Sequence, residues 1–388
     1  MRKSALFAFA LVVAALVALG LIVLSSASES YGVRYHNDAY FFLRRQFIYL
    51  GIGIVVAVFA AVFDYHRWRD IPGLAWFAYI AVAILLLFVF PQLGGRAING
   101  SYRWIKLGPV NLQPSELAKL MTVIILAVWL DRAAWRVELF VKGLVIPCLL
   151  IAVYAGLVIK EPDFGSVMVI GFTGGLVMFV SGVRLRHLMP AGIVGAVGTG
   201  VVMLFNENRV RRLLAFLESS QDSAEKVSTA TMNAAQYQAH MALVAIKNGG
   251  LWGVGLGESM QKQSYLPECH TDFIFAVGAE ELGILFSITV IVLFLAFFCI
   301  SVYIARNASD RFGRFLVIGM AFIIFFQAVF NLGVVCEALP TKGMALPFFS
   351  YGGTNLISAF LAVGTILSVG IHSYRDKKRV LAKSVLMR

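Results

Sequence analysis

The chain has 388 residues, 60% of them hydrophobic and 14% charged, with a formal net charge of +12. This composition excludes a disordered chain and an ordinary soluble globule. The basic excess does not argue for nucleic acid, because no zinc finger, Walker loop or aromatic–basic surface pattern accompanies it.

In chain order, apolar runs of near 20 residues recur down the whole length, each long enough as a helix to cross a hydrocarbon core roughly 30 Å thick. The first begins after Arg2 and Lys3 and ends at the small residues 25–28, as a signal peptide would. Its apolar run exceeds the ~7–15 residues of such a peptide, and more spans follow, so it reads as a retained first span. Ten spans are expected, at roughly 5–25, 43–63, 73–91, 115–130, 140–159, 163–182, 187–205, 272–302, 312–335 and 350–372. A β-barrel would need alternating segments of ~10 residues, and these runs are longer and uniformly apolar. The expected fold class is an all-α polytopic membrane protein, one domain over 1–388, with a large extracytoplasmic loop at 206–271 between spans 7 and 8. Within that loop, Leu213, Leu214 and Leu217 can form one face of a surface helix. Helical spacing then resumes and ends at Gly249–Gly250.

Of the 33 Lys and Arg, 18 lie in the N-terminus, in 64–72, 131–142, 183–187 and 303–314, and in the tail after 372. The positive-inside bias places these segments and both termini in the cytoplasm. The segments 92–114, 206–271 and 336–349 then face outward. Cys148, Cys269, Cys299 and Cys336 have no metal-ligand spacing. Cys269 and Cys336 share an outer boundary, so a bridge between them is conceivable but not favoured.

Four polar patches fall on the outward side. In SYRWIKLGPVNLQPSELAKL (101–120), Arg103 and Lys106 belong to a loop, Trp104 suits an interfacial anchor and Pro114 can start the next helix. Glu116 and Lys119, three apart, share a helix face. They form either a structural ion pair or part of a cationic wall for an anionic lipid headgroup. In KEPDFGS (160–166), Glu161 and Asp163 either favour a helix dipole or take part in chemistry. The third patch, 253–283, carries Glu258, Glu268, His270, Asp272, Glu280 and Glu281 beside long apolar runs. Charge at a hydrocarbon boundary is expensive, so its default reading is functional. Asp272 is either a helix cap beside Thr271 or a carboxylate that accepts a proton from a sugar hydroxyl. Restricted solvent would raise its pKa and nearby cations would lower it. His270 could be a base or a metal ligand, though one histidine is weak grounds. Gly253, Gly255 and Gly257 lack the strand context of a dinucleotide loop. The fourth patch, CEALPTKGMALPFFSYGGTN (336–355), is broken by two prolines and Gly343. There Lys342 can face a headgroup, Ser350 offers a hydroxyl, and Tyr351 to Gly353 permit close packing or backbone access.

Taken together, RWIKLG…QPSELAKL, EPDFGS, GVGLGES…YLPECHTDFIFAVGAEELG and LPTKGMALPFFSYGG resemble the SEDS family of shape, elongation, division and sporulation membrane proteins, over essentially the whole chain. The RLLAFLE run, GVGLGESMQK and LPTKG look more like its division branch than its elongation branch. The resemblance implies a ten-span SEDS fold. It also implies a peptidoglycan glycosyltransferase that polymerises lipid II into β1,4-linked glycan strands, releasing undecaprenyl pyrophosphate at the division septum of the bacterial cytoplasmic membrane.

The family's essential aspartate matches Asp272 of HTDF. Arg103, Glu116, Lys119, Asp163, Glu268, His270, Lys342 and Ser350 are the substrate-binding candidates. Implied partners are lipid II, the growing lipid-linked glycan, a class B penicillin-binding protein that supplies the transpeptidase, and other divisome proteins. No organic cofactor is expected, and a divalent cation (Mg2+ or Mn2+) is a candidate for assisting the leaving group. The rival readings are a lipid II flippase, which would carry polar groups deep through the bundle, and a noncatalytic divisome scaffold, which would be indifferent to Asp272. The sequence departs from the family pattern at Cys269, at Met344–Ala345 and at Thr354–Asn355.

Overall fold

The computed structural model describes residues 3–90, 96–98, 101–107, 110–133, 137–161, 163–204, 234–263, 266–340 and 343–386. Lys342 and the expected surface helix around Leu213 lie outside them. The chain forms helices α1 (Lys3–Ala27), α2 (Glu29–His36), α3 (Phe41–Val62), α4 (Arg67–Asp70) and α5 (Leu74–Phe88). A three-stranded antiparallel meander follows, β1 (Arg96–Ile98), β2 (Ser101–Leu107) and β3 (Val110–Leu112). After it come α6 (Pro114–Arg132), a π-helical turn at Phe140–Val145, α7 (Ile146–Lys160), α8 (Phe164–Ser181), α9 (Leu185–Leu204) and α10 (Ala234–Gly249). The last three are α11 (Ile274–Arg306), α12 (Arg311–Val335) and α13 (Gly353–Leu386).

Seven of these helices, among the described residues, are long and apolar enough to cross a membrane, not the ten expected from the sequence. The polytopic, helical class stands; the count does not. The expected span at 73–91 is a helix of 15 residues, about 22 Å at 1.5 Å per residue and short of a hydrocarbon core. The expected span at 115–130 is α6, 19 residues that include Glu116, Lys119, Asp131 and Arg132. The expected span at 187–205 falls on α9, which is not among the seven. The meander is a further departure from a wholly helical chain, built in the expected outer loop 92–114 with Ile105 opposite Leu112 and Leu107 opposite Val110.

Helix α6 is the central post. Nearly every residue from Pro114 to Leu130 is buried, and α5, α7, α8, α12 and α13 pack around it. A helix covered on all sides needs no polar face, which is why this one shows no amphipathic stripe. Helices α3 and α13 pack along each other, and α11 packs against α1, α10 and α12.

The bundle has two chemically distinct ends. At one, Asp310 caps α12 through Gly313 N (3.0 Å), accepts from Tyr65 Oη (2.8 Å) and meets Arg69 Nη1 (3.1 Å). Arg69 also reaches Asp131, and Arg132 donates to Arg69 O. This end holds 63–70, 131–132, 307–314 and the start of the basic tail. The opposite end gathers the meander, the N-termini of α6, α8 and α13, the C-terminus of α12 and the turns at 266–273 that lead into α11.

Helix α11 is sharply bent. Gly283 has φ 74° and ψ −168°, a conformation essentially restricted to glycine. The first part, 274–282, folds back so far that the rings of Phe275 and Phe286 lie 6.0 Å apart. The bend frees backbone groups that the loop after α10 takes up: Val254 N donates to Glu280 O (3.0 Å), Gly255 N to Glu281 O (3.1 Å), and Ile284 N to Gly250 O (3.0 Å). A Cβ on Gly283 would lie 2.5 Å from Leu251 O, and one on Gly253 would lie 2.1 Å from Glu281 O. Two glycine backbones therefore meet where no side chain fits.

Candidate active site

Asp272 stands just ahead of the folded-back half of α11, its residue partly exposed. Its backbone carbonyl accepts from Asn331 Nδ2 at 2.7 Å, and the same amide nitrogen donates to Met344 O at 2.7 Å. One side chain of α12 thus ties the turn carrying Asp272 to the segment 343–346. The carboxylate lies directly on Gly343, where an added Cβ would sit 2.5 Å from Oδ2. Burial, reinforced by the charge of Glu268, pushes the Asp272 carboxyl up to about 7 despite Arg103 nearby.

Arg103 projects from β2, and its Nε donates to Glu161 O at 3.0 Å. Its charge acts on Asp272, Glu161 and Asp163 together. Asp163 is the N-cap of α8: it accepts from Ser166 Oγ (2.7 Å) and Ser166 N (3.3 Å), and from Gln113 and Ser115. Burial would raise its pKa, but Arg103, the Ser166 bonds and Lys119 outweigh that and hold it below the usual carboxylate value. Glu161, two residues earlier, has both carboxyl oxygens buried without a hydrogen-bond partner. Burial and the charge of Asp163 push it up to about 8.

The remaining candidates divide sharply. Lys119 and Glu116 are buried and joined at 2.7 Å, and Ser358 Oγ donates to the other Glu116 oxygen. They form an internal ion pair between α6 and α13. Ser350 is buried too: its hydroxyl donates to Thr271 O (2.6 Å) and accepts from Leu346 N (2.7 Å). It fixes the turn beside Asp272 from behind. The His270 ring is buried among Tyr31, Phe42 and Tyr351, and burial lowers its pKa, which keeps it neutral. Glu268, at φ 56°, accepts from Thr271 Oγ1 at 2.8 Å. Cys269 and Cys336 are both free thiols. Among the described residues no three His, Cys, Asp or Glu side chains are grouped so as to hold a metal ion.

Three contributors escaped sequence reasoning: Asn331, Gly343 as the seat of the carboxylate, and Lys262. Thr354, noted only as a departure from the family pattern, also has a definite place, accepting from Gln113 N and donating to Asn111 O at the meander. Lys262 is buried and donates to Ser26 Oγ (2.8 Å), Gly257 O (2.6 Å) and Glu281 Oε1 (3.2 Å). Glu280 accepts from Ser259 Oγ nearby. The two acids read from the sequence as part of a polar patch therefore bolt the loop to the bend of α11. Removing one partner of such a buried pair leaves the other charge stranded. Lys262→Met is expected to cost about 3–5 kcal/mol of stability. Lys262→Met combined with Glu281→Leu is expected to recover most of that loss, read as thermal unfolding in detergent.

These features define a polytopic membrane protein with a partly exposed carboxylate at one end of a helical bundle, in the field of an arginine on a small β-meander. Residues 7–375 match the FtsW/RodA/SpoVE family, described as "Cell cycle protein". The probable peptidoglycan glycosyltransferase FtsW of Geobacter metallireducens is 37% identical over 362 residues, covering 92% of each chain. The stage V sporulation protein E of Bacillus subtilis is 35% identical over 359 residues, 92% of this chain and 94% of that protein. Among solved structures, the rod shape determining protein RodA of Thermus thermophilus matches with a TM-score of 0.66 at 29% identity, covering 94% of this chain and 96% of its own. A chain from work on the structural coordination of polymerization and crosslinking by a peptidoglycan synthase complex matches with a TM-score of 0.75 at 29% identity, covering 95% of this chain and 98% of its own. The chain belongs to the FtsW/RodA/SpoVE family of cell cycle proteins.

Proposed function

We propose that this protein is a peptidoglycan glycosyltransferase that polymerises lipid II, with Asp272 as general base. The observation that carries the reading is the Asp272 carboxyl, partly exposed, seated on Gly343 and poised to titrate near neutrality beside Arg103. A base with a pKa close to the working pH combines a useful ionised fraction with real proton affinity. Asp272 takes the proton from the acceptor's 4-hydroxyl as that oxygen bonds to the donor's anomeric carbon. The bond from that carbon to the lipid pyrophosphate breaks, and the leaving group departs with the electron pair. Its negative charge is met by the field of Arg103. Asp272 moves the proton and Arg103 offsets the charge, and a divalent cation (Mg2+ or Mn2+) held by the pyrophosphate would add to that compensation.

The bundle's polarity supports an orientation. The end rich in Arg and Lys is assigned to the cytoplasm, and the end that carries Asp272 to the outer face. The similarity to FtsW proteins and to a chain of a synthase complex favours a division role at the septum, with a class B penicillin-binding protein and other divisome proteins as partners.

The test is reconstitution. Purified protein with its class B partner is given fluorescent lipid II, and glycan chains are resolved by gel. The expected product is a ladder of polymer. Lipid II translocation across proteoliposomes with no polymer would overturn the reading in favour of a flippase.

A further inference from the structure

Between α10 and Asp272 the chain exposes a run of large apolar side chains: Leu251 (67% exposed), Trp252 (80%), Met260 (65%), with Val254 and Leu256. Glu258 is the one ionisable residue from Gly250 to Met260. Burying one such apolar side chain is worth about 1.5–3 kcal/mol, so five of them in water would be a standing cost. Contiguous exposure of this kind marks an interaction surface. The loop is not splayed for want of a fixed backbone. Its amides are bonded to Glu280 O and Glu281 O, and Gly250 O is bonded to Ile284 N. Lys262 holds its far end through Gly257 O.

The anchor point says what surrounds it. The lipid-facing run of α11 begins at the residue after the bend, with Ile284, Leu285 and Ile288 all exposed. From there to Arg306 a straight helix rises about 34 Å, enough for a hydrocarbon core of roughly 30 Å. Ile284 therefore stands at the hydrocarbon boundary, and a loop hydrogen-bonded to it sits at the same depth. Tryptophan favours that boundary. We infer that residues 250–260 form a membrane-dipping wedge, its apolar side chains seated among the acyl chains of the leaflet on the Asp272 side of the bundle and Glu258 turned to the headgroups. The occupant of this surface is bilayer lipid. The segment from Lys262 runs on into Asp272, so the wedge also sets the height of the carboxylate against the headgroups. That consequence rests on the catalytic reading; the wedge itself does not.

The test places an environment-sensitive fluorophore at Trp252→Cys, in protein whose Cys148, Cys299 and Cys336 are replaced by alanine and whose buried Cys269 is retained. The protein is reconstituted in phosphatidylglycerol–phosphatidylethanolamine nanodiscs with or without brominated acyl chains. The same probe at Ile288→Cys serves as the lipid-facing reference, and at Asp70→Cys, outside every candidate span and with its side chain 59% exposed, as the water-facing one. Brominated lipid is expected to quench the probe at 252 severalfold more than at 70 and comparably to 288, with iodide giving the reverse order. Adding Leu256→Glu and Met260→Glu should more than halve the lipid quenching. If the labelled 252 variant fails to fold, Leu256→Cys provides the same reading. Iodide quenching at 252 equal to that at 70 would overturn the wedge, as would shielding from both quenchers, which would mean a protein cover in place of lipid.

Discussion

Asp272→Asn should reduce lipid II polymerisation by about 10²–10⁴-fold, the range that a positioned general base contributes. The substitution keeps the shape of the side chain and the Asn331 bond to the backbone carbonyl, so the loss is one of proton affinity. In the wild type, activity should rise with pH through about 7, the value at which the Asp272 carboxyl ionises. The residual activity of the variant should lack that limb. Stability should move the opposite way. The folded-state pKa of Asp272 is raised above its ordinary 3.8, so the fold binds that proton more tightly than the unfolded chain does. Its contribution is most favourable at low pH and is lost as pH rises from about 4 to about 7. At pH 8 the Asn variant should therefore unfold at a higher temperature than the wild type, with the gap closing towards pH 4. Wild-type levels of glycan synthesis by a well-folded Asn variant would remove Asp272 from the chemistry.

Gly343→Ala should be nearly as damaging without touching an ionisable group. The added methyl would lie 2.5 Å from Asp272 Oδ2, so the carboxylate must rotate or the segment 343–346 must shift. Misplacing a catalytic group by about 1 Å can cost on the order of 10² in rate. The fall is expected in kcat more than in KM, with the unfolding temperature little changed. Placed on top of Asp272→Asn, the alanine should add almost nothing, because residues that act through one group are not additive. An additive loss in the double variant would mean that Gly343 serves the substrate directly.

Much of the site was legible. The four polar patches do converge on one end of the bundle, and Asp272, Glu268, Arg103 and Asp163 share one electrostatic neighbourhood. The patches could be found because ionisable residues beside long apolar runs stand out in composition alone. What they do once folded could not be read. Lys119 and Glu116, three apart, read equally as a structural ion pair or as part of a cationic wall, and only their burial beside Ser358 of α13 makes them an internal pair. Ser350 looked like an available hydroxyl and is occupied by backbone on both sides. The bend at Gly283 had no local sign, because one glycine in an apolar helical run is ordinarily tolerated.

The sequence by itself determined the membrane class, the helical architecture and the family pattern, because hydropathy and motif order are properties of neighbouring residues. It overcounted the spans, because a hydropathy run hides where its helix starts and stops: α5 has only 15 residues, and α6 takes in Glu116, Lys119, Asp131 and Arg132. Only the tertiary structure decided which acids are caps, which are bolts and which one is seated on Gly343 beside Arg103. Those roles depend on groups remote in the chain, such as Arg103, Asn331 and Gly343 around Asp272, and a carboxylate's chemistry is set by what surrounds it.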